Sequence, residues 1–220
     1  MLQGLVTQEK LVILITRAVL AELREQKRLI PVGVSARHLH ISREHLDILY
    51  GPGYQLRPLR PLMAGEFAAE EVVTLVGPNL RTIENVRILG PERKQTQVEL
   101  ARTDAFRLGI DPPVRQSGDL GGSPGLVVVG PKGAVVLKEG AIIANRHIHM
   151  TPQDAYLLGL KDNDYVDVQA LGERGAILHQ VQVRVHPKFR TEMHIDTDDA
   201  NAVGLRCGDR VKILIQGSDT

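Results

Sequence analysis

"SARHLHIS" (Ser35–Ser42) and "ANRHIHMT" (Ala144–Thr151) carry one pattern twice, 109 positions apart. In each, an arginine precedes a His-x-His pair, an apolar residue separates the histidines, and Ser or Thr follows two residues later. Side chains at i and i+2 of a strand share a face. His38 and His40 can therefore converge on one point, and so can His147 and His149. Ser42 and Thr151 are N-cap residues for a short helix in each copy, with Pro152 at a first helical position. Leu49 and Leu158 match further along.

A second pair of segments repeats at an offset of 95: "TQVELARTDAFRLGI" (Thr96–Ile110) over "TEMHIDTDDANAVGL" (Thr191–Leu205). Here Asp104 meets Asp199, Gly109 meets Gly204, and Glu99 falls on His194. The two offsets differ because the first half carries about fourteen more residues between its motifs, assigned to the "GPGYQLRPLRPLMAGEF" loop (Gly51–Phe67). Short Val/Ile/Leu runs between Gly/Pro punctuation fill most of the rest, as expected of a barrel or sandwich. "GLKDNDYVDV" (Gly159–Val168) and "GLRCGDRVKI" (Gly204–Ile213) repeat a turn-into-strand unit that resembles small six-stranded cradle-type β-barrels. The expected fold is mainly β: two similar β-barrel domains with short helices, born of an internal duplication and preceded by an N-terminal α-helix. The expected divisions are a helix over 1–30, a first barrel over 31–143 and a second over 144–220.

The helix is read from Leu11, Ile13, Leu14, Val19, Leu20 and Leu23, which form a wide apolar face. It is expected to pack against the body or to dock the chain on a larger assembly. The apolar run Leu11–Ile15 is too short to span a membrane, and no cleavage site follows it. A net charge of +1 and 3% aromatic residues argue against nucleic acid and membrane as partners. One cysteine, Cys207, permits no intrachain disulfide and no cysteine metal cluster. An intracellular, cytoplasmic location is expected.

Two His plus a carboxylate, or three His, is the ligand set of an open catalytic metal site. The candidates divide by halves into His38, His40 and Glu99, and His147, His149 and His194. His45, His179 and His186 fall outside the set. Similar halves related by a two-fold would bring both triads to one interface as a dinuclear centre. Zinc suits these ligands, and so do cobalt and iron. Arg93, six residues before Glu99, is placed to clamp an anion bidentately, with Lys94 beside it. Arg37 and Arg146 alternate to the opposite face and are read as ion-pair partners or anion contacts. There is no nucleophile elbow, Walker loop or dinucleotide fingerprint, and Cys207 lies in a Gly-Asp turn. Direct attack templated by metal is favoured over a covalent acyl-enzyme.

The double R-H-[LI]-H-[IM]-[ST] motif, "ERKQTQVEL", "VRQSGDLGGSPG" and "EMHID" resemble the PduL-type phosphotransacylases, or phosphate propanoyltransferases, over nearly the whole chain from Pro31 on. The resemblance implies transfer of a short acyl group between coenzyme A and inorganic phosphate, with propanoyl-CoA or acetyl-CoA as substrate. It implies two barrel domains that exchange strands near Pro31–Arg37 and Ile142–Arg146, and two Zn²⁺ held by the triads above. It also makes Arg93 the phosphate-binding residue. Some members work inside bacterial microcompartments, in propanediol degradation among other settings, and carry an N-terminal addressing extension. Here only Met1–Thr7 precede the first helix, so no separate extension is expected, and a microcompartment lumen or a homo-oligomer stands as an alternative setting. The rival functions are a dinuclear metal-dependent hydrolase of the same fold and a non-catalytic metal-binding scaffold module.

Overall fold

Leu39 and Ile148, the apolar residues inside the two His-x-His pairs, are completely buried. Burial of such side chains contributes about 1.5–3 kcal/mol each. It turns one face of each strand to a core and leaves the histidines on the other. The computed structural model describes residues 7–215. Met1–Val6, ahead of the helix, and the last five residues assigned to the second domain lie outside the described residues.

The first half contains β1 (Leu29–Ser35), β2 (His38–Ser42), β3 (Pro58–Pro61), β4 (Phe67–Val76), β5 (Thr82–Arg93), β6 (Gln97–Glu99), β7 (Val114–Arg115), β8 (Val127–Val129) and β9 (Ala134–Val136). The second contains β10 (Ala141–Ala144), β11 (His147–Met150), β12 (Tyr165–Ala170), β13 (Ala176–Val185), β14 (Glu192–Asp196) and β15 (Arg210–Leu214). Helix α1 (Gln8–Arg28) leads. Helices α2 (Arg43–Tyr50), α3 (Arg102–Leu108), α4 (Pro152–Leu158) and α5 (Thr197–Val203) follow β2, β6, β11 and β14. Ser42 and Thr151 cap α2 and α4 by accepting the amides of His45 and Asp154 at 3.3 and 3.0 Å.

Six strands close a barrel in the order β1-β14-β11-β13-β12-β15, and nine form a second, open sheet ordered β7-β10-β6-β2-β5-β4-β8-β9 with β3 on β4. The chain is mainly β, in two similar halves, as its repeats require. The halves differ in closure. In the barrel β15 pairs with both β12 and β1. In the other sheet that role is divided: β7 pairs with β10 and β8 with β4. β7 lies within "DPPVRQSGDLGGSPG" (Asp111–Gly125), which leads on to β8. The prolines of this segment cannot donate to a ladder and its glycines weaken one, so one closing strand cannot form there.

Each half lends a strand to the other. β1, which precedes the first His pair, runs parallel to β14 and puts Ile30 and Val32 into the barrel core with Ile148, Val183 and Met193. β10, which precedes the second pair, runs parallel to β6 and β7 of the open sheet and adds Ala141 to its core.

Helix α1 does not pack its apolar face on this body. Leu11, Val12, Ile13, Leu14, Ile15 and Val19 are each at least 50% exposed. Its C-terminal end is the anchored part: Arg24 donates to the Leu157 carbonyl, and Lys27 pairs with Asp154 at 2.8 Å. No helix among the described residues is long and apolar enough to cross a membrane.

Candidate metal centre

Antiparallel pairing sets the third member of each triad opposite the first. His38 faces Glu99 across β2 and β6, and His147 faces His194 across β11 and β14. The equivalence of Glu99 and His194 seen in the sequence is therefore an equivalence of place. His38 Nε2 lies 3.3 Å and His40 Nε2 3.8 Å from the Glu99 carboxylate. The rings of His147, His149 and His194 lie 4.7–5.3 Å apart, centre to centre. In both groups one donor atom from each residue lies within 4.8 Å of the others.

The first histidine of each pair is oriented in the same way. His38 Nδ1 is 2.9 Å from the Ala36 carbonyl, and His147 Nδ1 is 2.9 Å from the Asn145 carbonyl. A carbonyl only accepts, so Nδ1 carries the proton and the neutral ring turns a lone pair on Nε2 to the cluster. Burial lowers His40 to about 3, His147 to about 4 and His149 to about 2, with neighbouring rings adding to the effect. Burial lowers His194 as well. Burial alone would raise the Glu99 carboxyl, but His38, His40 and His147 outweigh it and hold it well below the usual carboxylate range. Burial would likewise lower His38, but Glu99 raises it. At neutral pH His40, His147, His149 and His194 are neutral imidazoles and Glu99 is a carboxylate, the forms that bind metal. His40 Nδ1, His149 Nδ1 and His194 Nε2 are buried with no hydrogen-bond partner among the described residues. An unpaired buried polar atom costs about 1–3 kcal/mol. Orphaned nitrogens and an all-N/O donor set fit divalent transition metal ions.

The triads are neighbours. His38, Glu99, His147 and His194 line one cleft of about 30 Å³. The flanking arginines belong to the frame. Arg37 pairs with Asp104 at 3.2 Å and Arg146 with Asp199 at 3.7 Å, so the duplication repeats an ion pair as well as the triads.

Arg93 ends β5, on the far side of β2 from Glu99. Its even spacing from Glu99 is therefore not what brings them together: a turn separates their strands. Arg93 Nη1 donates to Ser117 Oγ at 3.1 Å, and Gln97 Nε2 donates to both Ser117 Oγ and the Glu99 carboxylate. The Gly118 amide holds Gln97 Oε1 at 2.7 Å. Arg93 Nη2 pairs with Glu66 at 2.6 Å. Glu66 belongs to the inserted loop, whose Phe67 ring lies on Gly90, where a Cβ would meet Phe67 Cζ at 2.3 Å. Lys94 is exposed in the turn. Cys207 is also exposed, its sulfur accepting the Val34 amide at 3.2 Å.

Arg184 escaped the sequence reading. It sits beside His149 in the parallel pairing of β11 and β13. It is half-buried and makes no ion pair among the described residues. Burial lowers its pKa, and Glu99, Arg93 and Glu66 are all within electrostatic reach. The available signal was alternation in "VQVRV" (Val181–Val185), where valines face the core and Gln182 and Arg184 face the site.

The family model for phosphate propanoyltransferase matches residues 31–206. A phosphate propanoyltransferase of Lachnoclostridium phytofermentans is 55% identical, over 91% of this chain and 97% of the relative. One of Thermotoga maritima is 52% identical, over 91% and 99%. One of Salmonella typhimurium is 48% identical, over 86% and 89%.

Proposed function

Since the chain belongs to the phosphate propanoyltransferase family, and so is an acyltransferase, we propose that it converts a short-chain acyl-CoA and inorganic phosphate to acyl phosphate and CoA, reversibly, at a dinuclear centre. Propanoyl-CoA and acetyl-CoA are the intended substrates. The observation that carries this reading is the link from Arg93 through Ser117 and Gln97 to Glu99, beside two neighbouring triads. His38, His40 and Glu99 would hold one ion, and His147, His149 and His194 the other, with Zn²⁺ the natural fit. Bound ions supply Lewis-acid charge for a carbonyl oxygen and a thiolate.

The chain's own groups do the positioning. Arg93 and Ser117 hold phosphate, and Arg184 adds a second positive charge to the same side. A phosphate oxygen attacks the thioester carbonyl carbon, the new C–O bond forms, the C–S bond breaks, and CoA departs as its thiolate. Orientation of two bound substrates is the main gain. No cysteine relay is involved, since Cys207 lies against Val34 with no basic partner among the described residues. The test is thiol release from acetyl-CoA and propanoyl-CoA with and without phosphate. Release that needs phosphate and yields acyl phosphate supports the reading. Release without phosphate, yielding free acid, would assign the site to a hydrolase.

Glu66 occupies Arg93 in the way an anion would. Phosphate must compete with it for the guanidinium. A partly exposed ion pair contributes about 0.2–1 kcal/mol, so Glu66→Gln is expected to lower KM for phosphate by up to about fivefold. A raised KM would instead make Glu66 the residue that aims Arg93.

A further inference from the structure

On β2 and β11 the apolar residues between the histidines are fully buried in the two cores. Apolar surface next to the cluster must therefore come from loops, and two loops supply it. The Phe189 ring, in the turn before β14, lies against His149 with ring centres 4.1 Å apart and planes inclined by 36°. Met63, in the loop peculiar to the first half, accepts the Arg190 amide on its sulfur at 3.4 Å. That contact carries the loop across from the first half to the second and sets Met63 beside Phe189. Three residues on, Glu66 is fixed to Arg93. The loop thus passes from the proposed phosphate clamp to the second triad. Phe189 and Met63 are each only half-buried and keep apolar surface free. His186, whose ring centre is 5.2 Å from that of Phe189, borders the far side.

We propose that Phe189 and Met63 form the subsite for the aliphatic chain of the acyl group, and that the space between them sets the accepted chain length. The inference rests on the acyl-transfer reading. With phosphate held by Arg93 and the thioester carbon at the histidines, the chain beyond the carbonyl needs apolar surface beside the second triad, where the Phe189 ring lies on His149. An aromatic ring gives a flat, rigid wall. A thioether gives one that adapts to small differences in volume. In a hydrophobic pocket one methylene changes kcat/KM by about ten- to two-hundredfold.

The experiment measures phosphate-dependent thiol release from acetyl-, propanoyl-, butanoyl- and hexanoyl-CoA by the full, metal-loaded chain. Phe189→Leu and Met63→Ala are expected to raise the butanoyl-to-acetyl ratio of kcat/KM by about tenfold. Met63→Phe is expected to lower it. Metal content is measured in each variant, because a ring whose only task was to support His149 would cost metal and slow every substrate equally. Ratios that match wild type in all three variants would overturn the subsite. Failure of the parent reading looks different: wild type would release no thiol from any of the four with phosphate present.

Discussion

Alanine at both His147 and His149 is expected to bring bound transition metal down from about two ions per chain to about one, and to cut acyl transfer by about a thousandfold or more. The reasoning is geometric. His147, His149 and His194 are the whole of the second cluster, and His194 alone cannot hold an ion. The first cluster, on β2 and β6, keeps all its members. The fold should survive, because Ile148 and Met150 carry the packing of β11 and are untouched. The metal-free variant should be no less stable than wild type stripped by a chelator. The substitution removes a buried nitrogen that has no partner, His149 Nδ1, and such atoms cost stability. Metal analysis, activity and thermal unfolding of both proteins check this. Two ions retained in the double variant would sink the two-triad model.

Arg93→Ala is expected to reduce efficiency with phosphate by about ten- to a hundredfold while leaving metal content alone. The loss is that of a charge-assisted contact, about 1.5–3 kcal/mol, converted to a rate ratio. Lysine should restore only part, since it keeps the charge but not the two-pronged donor. Arg184 lies within electrostatic reach and tempers the loss, so replacing both arginines should cost more than either alone. Steady-state kinetics with phosphate varied at saturating acyl-CoA give the answer. A phosphate dependence equal to wild type would remove Arg93 from the anion site and make Arg184 and Lys94 the next to replace.

The clustering of the two triads was legible because three signals coincide: i, i+2 spacing on a strand, recurrence at a fixed offset, and a third ligand-capable residue at a matched place. Alternation alone also implied that Arg37 and Arg146 point away from the histidines, and the matched aspartates, Asp104 and Asp199, turn out to be their partners. Other features depend on which strands lie side by side, which spacing does not encode. Alternation in Val181–Val185 turns Arg184 off the core face, but it reaches the site only because β13 lies beside β11, which spacing does not show. The link from Arg93 to Glu99 runs through Ser117, in a loop some twenty residues further on. The divided closing strand could be suspected from Pro112 and Pro113, but the partners of its pieces could not. Helix periodicity located α1 but could not choose between packing and docking, because a stripe of apolar residues reports amphipathicity and not what covers it; the exposed face rules out packing on the body.

The lent strands also govern how the polypeptide can be made. β1 leaves the ribosome long before its partners, for Val32 finds its neighbour only at Met193, and Leu29 only at Lys212. Closing so long a loop is slow, and local contacts cannot reward it early. A nascent chain must therefore carry an unpaired strand with Ile30 and Val32 uncovered until β14 and β15 have been synthesised. The open sheet, in turn, waits for β10 before its own core is complete. Neither half can be cut free as an independent module, and a chain that stops short of β14 leaves its opening strand with nowhere to go.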